Sequence, residues 1–484
     1  MDNINQEHHY TENVQNHLKQ VESLLHKHAL VAEVAHKQEI PREDRHTLVD
    51  NLLHKQHLAE LRSKLDSMHP ADIAYILEAL PIEQRLLVWD LVKSERDGEI
   101  LIEVSDAVRE SLIATMSRDE LREAAEQLDT DEIADLAPDL PQNVMRDVFK
   151  SLSIEEREQL RAAMSYSEDS VGALMDFSMI TVRDDISLEV VSRYLRRFDE
   201  LPDHTDQVFV VDRDDRFKGV LPINLIVVNE PKKIVGTLML TDTIHLHPEE
   251  KAEQAAQAFE RYDLVSAPVI DEDDKLVGRV TVNVVLDFIR NESESDVLNL
   301  AGLREEEDIF ASMWKSAQNR WAWLALNLCT AFFASRVIGN FEGTIEKFVA
   351  LATLMPIVAG IAGNSANQTT TIAIRSLALG QITQDNARRL MIKELAIGGF
   401  NGLLWGSIAG LFAYFLYHSV ALGIVMTGAM LLNLLVGATV GMAIPLAMQK
   451  LGRDPAIGSS VMITAITDSG GFFIFLGLAT IFLI

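Results

Sequence analysis

The sequence contains one cysteine, Cys329, in 484 residues. A lone thiol makes no internal disulfide and no cysteine-based zinc site. The opening residues, MDNINQEHHY, have no basic stretch followed by an apolar one. No cleavable signal peptide is therefore expected, and the N-terminus is expected to stay in the cytosol. Basic charge is scarce, with 43 Lys+Arg against 72 Asp+Glu and a net charge of −29. Such an acidic chain repels phosphate backbones, which argues against nucleic-acid binding. No P-loop, nucleophile–base pair or zinc ligand set is visible, so neither ATP-driven pumping nor an enzyme is expected.

The most informative absence is local. Residues 1–310 hold 33 Lys+Arg and 66 Asp+Glu, net −33, whereas residues 311–484 hold 10 and 6, net +4. From Leu395 to Gln449 there are 55 residues without Asp, Glu, Lys or Arg. A span needs about 20 apolar residues to cross roughly 30 Å of hydrocarbon, so this run holds two, divided near Tyr417, His418 and Ser419. Charge-free stretches at Trp321–Ser335 (extending to Gly339) and Phe348–Ile374, and the single-charge stretch Pro455–Ile484, bring the count to five spans. Lys315, Arg320, Arg375, Arg388, Arg389, Lys393, Lys450 and Arg453 then fall inside, against Arg336 and Lys347 outside. This bias keeps the N-terminus cytosolic and puts the C-terminus outside.

Two features do not suit simple anchors. Asp468 lies midway along the fifth span, in TAITDSGG. A carboxylate at that depth costs at least ~2.5 kcal/mol on insertion scales, and faces a bundle interior or a watery path. The second span carries a polar interruption, GIAGNSANQTTT, from Gly360 to Thr371, expected to loosen the helix and present backbone carbonyls to a cavity. The plainer reading makes these helix-packing residues and Asp468 a buried hydrogen-bonded group. One acid among hydroxyls and carbonyls, with no Cys or His, is a hard-oxygen site suited to Mg2+ or Ca2+. Mg2+ is often held by one or two carboxylates through its hydration shell, and a two-fold dimer would supply two.

The acidic half contains an internal repeat. VFVVDRDDRFKGVL (208–221) matches APVIDEDDKLVGRV (267–280) at an offset of 59, with amphipathic helices at Leu188–Phe198 and Ala252–Arg261 upstream. Each copy reads as strand, acidic turn, strand and short helix, and the tandem resembles a pair of CBS domains. Gly219 is followed by Pro222 and Leu225, and Gly278 by Thr281 and Val284, so the acid expected to hold a ribose is absent from both copies. That argues against nucleotide binding. Residues 51–175 are helical in pattern, with Ile76, Leu77, Leu80, Leu86, Leu87 and Leu91 as core and Pro81, Pro138 and Pro141 as breaks. Ten of the fourteen histidines precede residue 70. They read as a solvated polar helix or as a metal-sensing tract, His54 and His57 fitting one face better than His26 and His28. After the repeat, Asp287, Glu292, Glu294, Asp296 and Glu305–Asp308 line a helix expected to lead into span one. Bound Mg2+ would screen such carboxylates against another acidic face; otherwise this is an ordinary solvated helix.

YSEDSVGALM (166–175), LMPIVAGIAGNSANQ (354–368) and DPAIGSSVMITAITDSGGF (454–472), in this domain order, resemble the MgtE family of magnesium channels over roughly residues 50–484. The resemblance implies a multidomain protein: a polar His-rich extension (1–50), an all-α acidic N domain (51–175), a tandem α/β CBS pair (176–291), an acidic connecting helix (292–318) and a five-helix transmembrane domain (319–484). It implies a homodimer with one pore on the two-fold axis. Asp468 would hold hydrated Mg2+, with oxygens of Gly360, Asn367, Thr371 and Thr464 along the path. Cytosolic Mg2+ would close the pore through Asp287, Glu292 and Asp296. The chain departs from the family pattern at Ala362, Ala366 and Ser460 in the pore segments, and at Val284 and Ser295 in the sensing region. Weaker or altered Mg2+ gating is therefore expected. The function read here is a Mg2+ channel or transporter of the cytoplasmic (inner) membrane. A proton- or Na+-coupled divalent-cation transporter and a membrane-anchored CBS sensor are the rivals.

Overall fold

The computed structural model describes residues 15–27, 56–303, 308–378, 381–382, 384–453, 455 and 459–484. Most of the His-rich extension, including His28 and His54, lies outside the described residues, as do the acids at 305–307. The chain divides into two compact units: residues 1–292 with 307–311, and residues 293–306 with 312–484.

Among the described residues, the first unit opens with ten α-helices. Helices α1 (15–27) and α2 (56–65) precede α3 (Pro70–Ala79), α4 (Ile82–Trp89), α5 (Asp97–Glu103), α6 (Asp106–Ile113), α7 (Arg118–Ala125), α8 (Thr130–Leu136), α9 (Gln142–Ser151) and α10 (Ile154–Ala163). Local chemistry sets their ends. Ser117 with Glu120, Asp129 with Glu132 and Ser153 with Glu156 form three capping boxes, in which each side chain satisfies an orphan amide at the start of its helix. Pro81 and Pro141 immediately precede α4 and α9, positions where a missing N–H costs no helical hydrogen bond. Ile76, Leu77 and Leu80 are fully buried, with Leu86, Leu87 and Leu91 packed at the edge of the same core. Val21, Leu24 and Leu25 of α1 join that core, so this part of the extension packs as the first helix of the stack.

Two copies of a strand–turn–strand unit follow. In the first, β1 (Thr181–Arg183) runs parallel to β2 (Gln207–Val211), which pairs antiparallel with β3 (Phe217–Pro222). In the second, β4 (Ser266–Ile270) pairs antiparallel with β5 (Leu276–Thr281), and the parallel bridge Leu246–Val269 stands where β1 stands in the first. The two copies agree in detail. Asp212 Oδ1 accepts from the amides of Asp214 and Arg216, and Asp271 Oδ1 from those of Asp273 and Lys275. Asp215 and Asp274 both turn the chain at left-handed φ, 60° and 61°, a conformation Asp tolerates better than bulkier residues. Helices α11 (Leu188–Leu195) and α13 (Ala252–Tyr262) precede the hairpins. The first hairpin leads into a short α12 (Ile223–Val228), the second into α14 (Val282–Ala301), 20 residues long. The connecting helix expected over 292–318 is therefore the far end of α14. It stops at Ala301, followed by Gly302 at φ 81°, and Ser312 caps a separate helix.

The second unit is a helix bundle: α15 (Met313–Gly339), a short α16 (Glu342–Lys347), α17 (Ala350–Ala378), α18 (Gln384–Tyr417), α19 (Val420–Lys450) and α20 (Ser459–Leu483). Four of the long helices, α15, α18, α19 and α20, are long and apolar enough to span a membrane. Helix α17 is 29 residues long but misses that threshold, because its second half carries the polar stretch. The turn expected at 417–419 is present, with His418 at φ 50° and Ser419 capping α19. The polar stretch of α17 does not unwind: the helix is continuous from Ala350 to Ala378, Pro356 included. An α-helix satisfies its own backbone, so the polar side chains of that stretch, not freed carbonyls, meet their surroundings.

Candidate ion path and acidic sensing faces

Helix α17 has two polar faces. Gly360, Asn364, Asn367 and Thr371 are all exposed, and their spacing of four, three and four residues stacks them on one stripe. Helix α20 lies beside it, with Thr467 Oγ1 within 3.6 Å of where a Cβ on Gly363 would stand. Along α20, Ser460, Thr464 and Asp468 repeat every fourth residue; Thr464 is exposed and the other two are partly so. The Thr371 hydroxyl donates back to Asn367 O at 3.0 Å, and that of Thr464 to Ser460 O at 2.8 Å. Among the described residues the Asp468 carboxylate has no hydrogen-bond or ion-pair partner. Also among these residues, no three His, Cys, Asp or Glu side chains converge on a metal-sized space. One chain thus offers the Asp468 carboxylate on α20 and a stripe of amides and hydroxyls on the neighbouring α17. That set suits a hydrated hard cation better than a stripped one.

Behind these stripes the helices are fastened tightly. Asn433 of α19 is fully buried and donates to Val358 O of α17 at 3.0 Å, and Gly471 of α20 leaves room for its amide. Gly437 and Gly441 let α19 approach Ala362 and Ala366 of α17 closely. This is the small-residue packing that brings membrane helices together.

In the first unit, Asp287 of α14 comes electrostatically within reach of Glu103 of α5. Burial, then the Asp287 charge, pushes the Glu103 carboxyl above the usual range, with His69 opposing. Burial likewise raises Asp287, against the pull of Arg290. Glu292 and Asp296 follow on the same helix, four residues apart. A second acidic pair was not singled out from sequence. Asp131 of α8 is pushed up to about 8 by burial and then by the charge of Asp176. Burial also raises Asp176, opposed by its ion pair with Arg279 at 2.7 Å. Ser178 Oγ donates to Asp129 Oδ2 at 3.4 Å in the same cluster. The signal was present in LDTDEIA, where Asp129 caps a helix and Asp131 and Glu132 fill its first turn, but it reads there only as a helix start.

A bundle of membrane-length helices carrying a polar stripe and one unpaired carboxylate, joined to a helical stack and a CBS pair, defines a multi-span transport protein with regulatory domains. Family comparison agrees in the same order along the chain. The MgtE intracellular N domain matches residues 68–169, a CBS domain residues 235–291, and the divalent cation transporter domain MgtE residues 355–478. The magnesium transporter MgtE of Bacillus subtilis is 26% identical over 89% of this chain and 96% of its own length. That of Thermus thermophilus is 28% identical over 87% and 95%. A crystal structure of the cytosolic domain of the Mg2+ channel MgtE, in complex with ATP, is 30% identical, with 49% of this chain and 97% of that one covered at a TM-score of 0.45. The chain belongs to the MgtE family, whose members are transporters and not enzymes.

Proposed function

We propose that this chain forms, as a homodimer in the cytoplasmic membrane, a path that admits Mg2+ and closes when cytosolic Mg2+ rises. The observation that carries the reading is a polar stripe left open on α17, Gly360, Asn364, Asn367 and Thr371, with Thr464 and Asp468 at every-fourth-residue spacing on α20, which packs beside α17 at Gly363 and Thr467. A polar stripe left open on a membrane helix bundle calls for another polar surface or water. A second copy related by a two-fold axis supplies that surface and doubles the carboxylates from one to two. Two carboxylates facing a water-filled path attract a divalent ion without stripping its inner shell, the mode Mg2+ tolerates best. With the N-terminus cytosolic and the C-terminus outside, an inside-negative potential favours entry by about 4.6 kcal/mol per divalent ion per 100 mV. No energy-coupling site is required.

Closure would come from the acidic pairs of the first unit. Glu103 with Asp287, and Asp131 with Asp176, repel when ionised; burial is the larger cause of the raised Glu103 and Asp131 carboxyls, and the neighbouring charge adds to it. Mg2+ between them would convert repulsion into attraction and hold α14, with Glu292 and Asp296, in its closed setting.

The test is Mg2+ flux into proteoliposomes at a clamped voltage, wild type against Asp468→Ala. Loss of flux or of selectivity in the variant supports the path. Equal flux in both removes Asp468 from it. Wild-type flux that collapses with uncouplers at fixed voltage moves the coupled transporter forward, and no flux at low internal Mg2+ moves the sensor forward.

A further inference from the structure

The face of α17 turned away from the stripe is also polar, and it is enclosed. Thr369 and Thr370 are 6% and 2% exposed. A threonine in a helix commonly returns its hydroxyl to the carbonyl four residues back, as Thr371 does with Asn367 and Thr467 with Ile463. Thr369 and Thr370 instead reach other helices. Thr370 Oγ1 donates to Gly441 O of α19 at 2.9 Å, and Thr369 Oγ1 donates to Glu394 Oε2 of α18 at 3.1 Å. Glu394 is 6% exposed. It lies 23 residues before Tyr417, where α18 ends, or about 34 Å along a helix. That places it near the inner edge of a hydrocarbon layer roughly 30 Å thick. A carboxylate enclosed by protein is expensive unless it is hydrogen-bonded.

The contact surface explains what the carboxylate has to do. Ala362 and Ala366 of α17 lie flat on Gly437 and Gly441 of α19. Small residues permit close approach, but at that contact they offer no large knob to stop one helix turning on the other. Leu351, Leu354 and Val358 lock the far half of α17 into the core; towards the cytosolic end its polar bonds are Thr369–Glu394 and Thr370–Gly441. Side chains reach about 5–6 Å from a helix axis, so a turn of 20° moves the opposite face by roughly 2 Å, as much as a whole Mg–O bond of about 2.0–2.1 Å.

We propose that Glu394 is a positioning residue of the ion path. By accepting the Thr369 hydroxyl it sets the rotation of α17, and so the placement of Asn367 and Thr371 on the opposite face. This rests on the reading that the α17 stripe lines the path. A hydrogen bond to a charged group is worth enough to change a rate or affinity by about tenfold or more.

The experiment uses full-length protein in proteoliposomes at clamped voltage, measuring maximal Mg2+ flux, half-saturating Mg2+ and the Mg2+/Ca2+ flux ratio. Glu394→Leu and Thr369→Val are expected to raise half-saturating Mg2+ about tenfold and to shift the ion ratio. Glu394→Gln and Thr369→Ser, which keep an acceptor and a donor, are expected to restore both, a rescue that a loss of folding alone does not produce. Asn367→Ala in the same vesicles reports on the path itself. If Asn367→Ala alters flux while Glu394→Leu and Thr369→Val match wild type, the inference is overturned and the path stands. If Glu394→Gln is as impaired as Glu394→Leu, charge rather than the hydrogen bond matters, and positioning is overturned. If wild type conducts and Asn367→Ala changes nothing, the path reading fails and takes the inference with it.

Discussion

Arg85 makes the sharpest prediction for stability. Its side chain is fully buried in the helical stack. Its Nε donates to Leu77 O at 2.8 Å and its Nη1 to Ser111 Oγ at 3.3 Å. The two remaining bonds run to one carboxylate, Nη1 to Asp308 Oδ2 at 2.6 Å and Nη2 to Asp308 Oδ1 at 3.0 Å. Asp308 is 223 residues away in sequence, just before α15, and its own Oδ1 accepts from the Phe310 amide. Removing the carboxylate leaves a guanidinium buried with two donors and its charge uncompensated. Breaking such a pair from one side costs about 3–5 kcal/mol. The assay is amide hydrogen exchange on the full chain in detergent, read over α4 and α6. At about 1.4 kcal/mol per decade, Asp308→Ala should speed exchange there by roughly 10²-fold or more. The double variant Arg85→Met with Asp308→Leu should recover most of that protection, because an apolar pair of similar volume often replaces a buried ion pair at little cost. Exchange within threefold of wild type in Asp308→Ala would refute the reasoning. So would a double variant as exposed as the single one.

Three further outcomes follow from the structure. A Cβ on Gly441 would stand 2.6 Å from Ala366 O, a backbone atom, so Gly441→Leu should lower the thermal midpoint of the detergent-solubilised protein by the equivalent of about 1–3 kcal/mol or more. Gly399→Ala, whose Cβ would sit 3.7 Å from Leu435, should leave it nearly unchanged. Asp131 titrates in the folded unit about four units above its ordinary 3.8. A raised acid stabilises below its unfolded value, and that contribution is lost as pH rises from near 4 through about 8. Asp131→Asn should therefore flatten the fall in stability over that window, and a variant curve parallel to wild type would sink the assignment. Finally, if Val284 and Ser295 leave the expected sensing set short of acids, Mg2+ should protect residues 56–303 from protease only at high concentration; sharp protection at low Mg2+ would contradict this.

The repeat at an offset of 59 was fully legible, because paired acidic turns and flanking apolar strands are local signals, and the two copies agree down to the Asp212 and Asp271 hydrogen bonds. The long helices and the turn at His418 were legible from missing charge, although among the described residues only four of the five expected spans are apolar enough along their length to cross a membrane. The α17 stripe was partly legible: the polar residues stood out, but they read as a break in the helix, since a list of Gly, Asn and Thr does not say that Gly360, Asn364, Asn367 and Thr371 share one face while Thr369 and Thr370 share another. Glu394 was missed. It sits next to Lys393 at the end of a charge-free run, where an acid reads as a loop residue, and only the packing of α17 on α18 shows it enclosed. Asp308 read as one more acid in a run, because a partner 223 residues away leaves no local trace.

The distribution of charge links the two halves. The front half carries a net of −33, and some of its carboxylates are pressed together rather than spread over the surface. Two ionised carboxylates about 6 Å apart repel by roughly 3 kcal/mol at an effective dielectric of 20. Each such pair stores an energy that a divalent ion cancels and a monovalent ion only screens. In both pairs, Glu103 with Asp287 and Asp131 with Asp176, burial is the larger cause of the raised carboxyl and the neighbouring charge adds to it. The membrane half carries the opposite arrangement, few acids, with Asp468 and the enclosed Glu394 among its helices, in a chain segment of net +4. On the proposed reading, hydrated Mg2+ against carboxylate oxygen would serve passage where acids are few and closure where they are crowded.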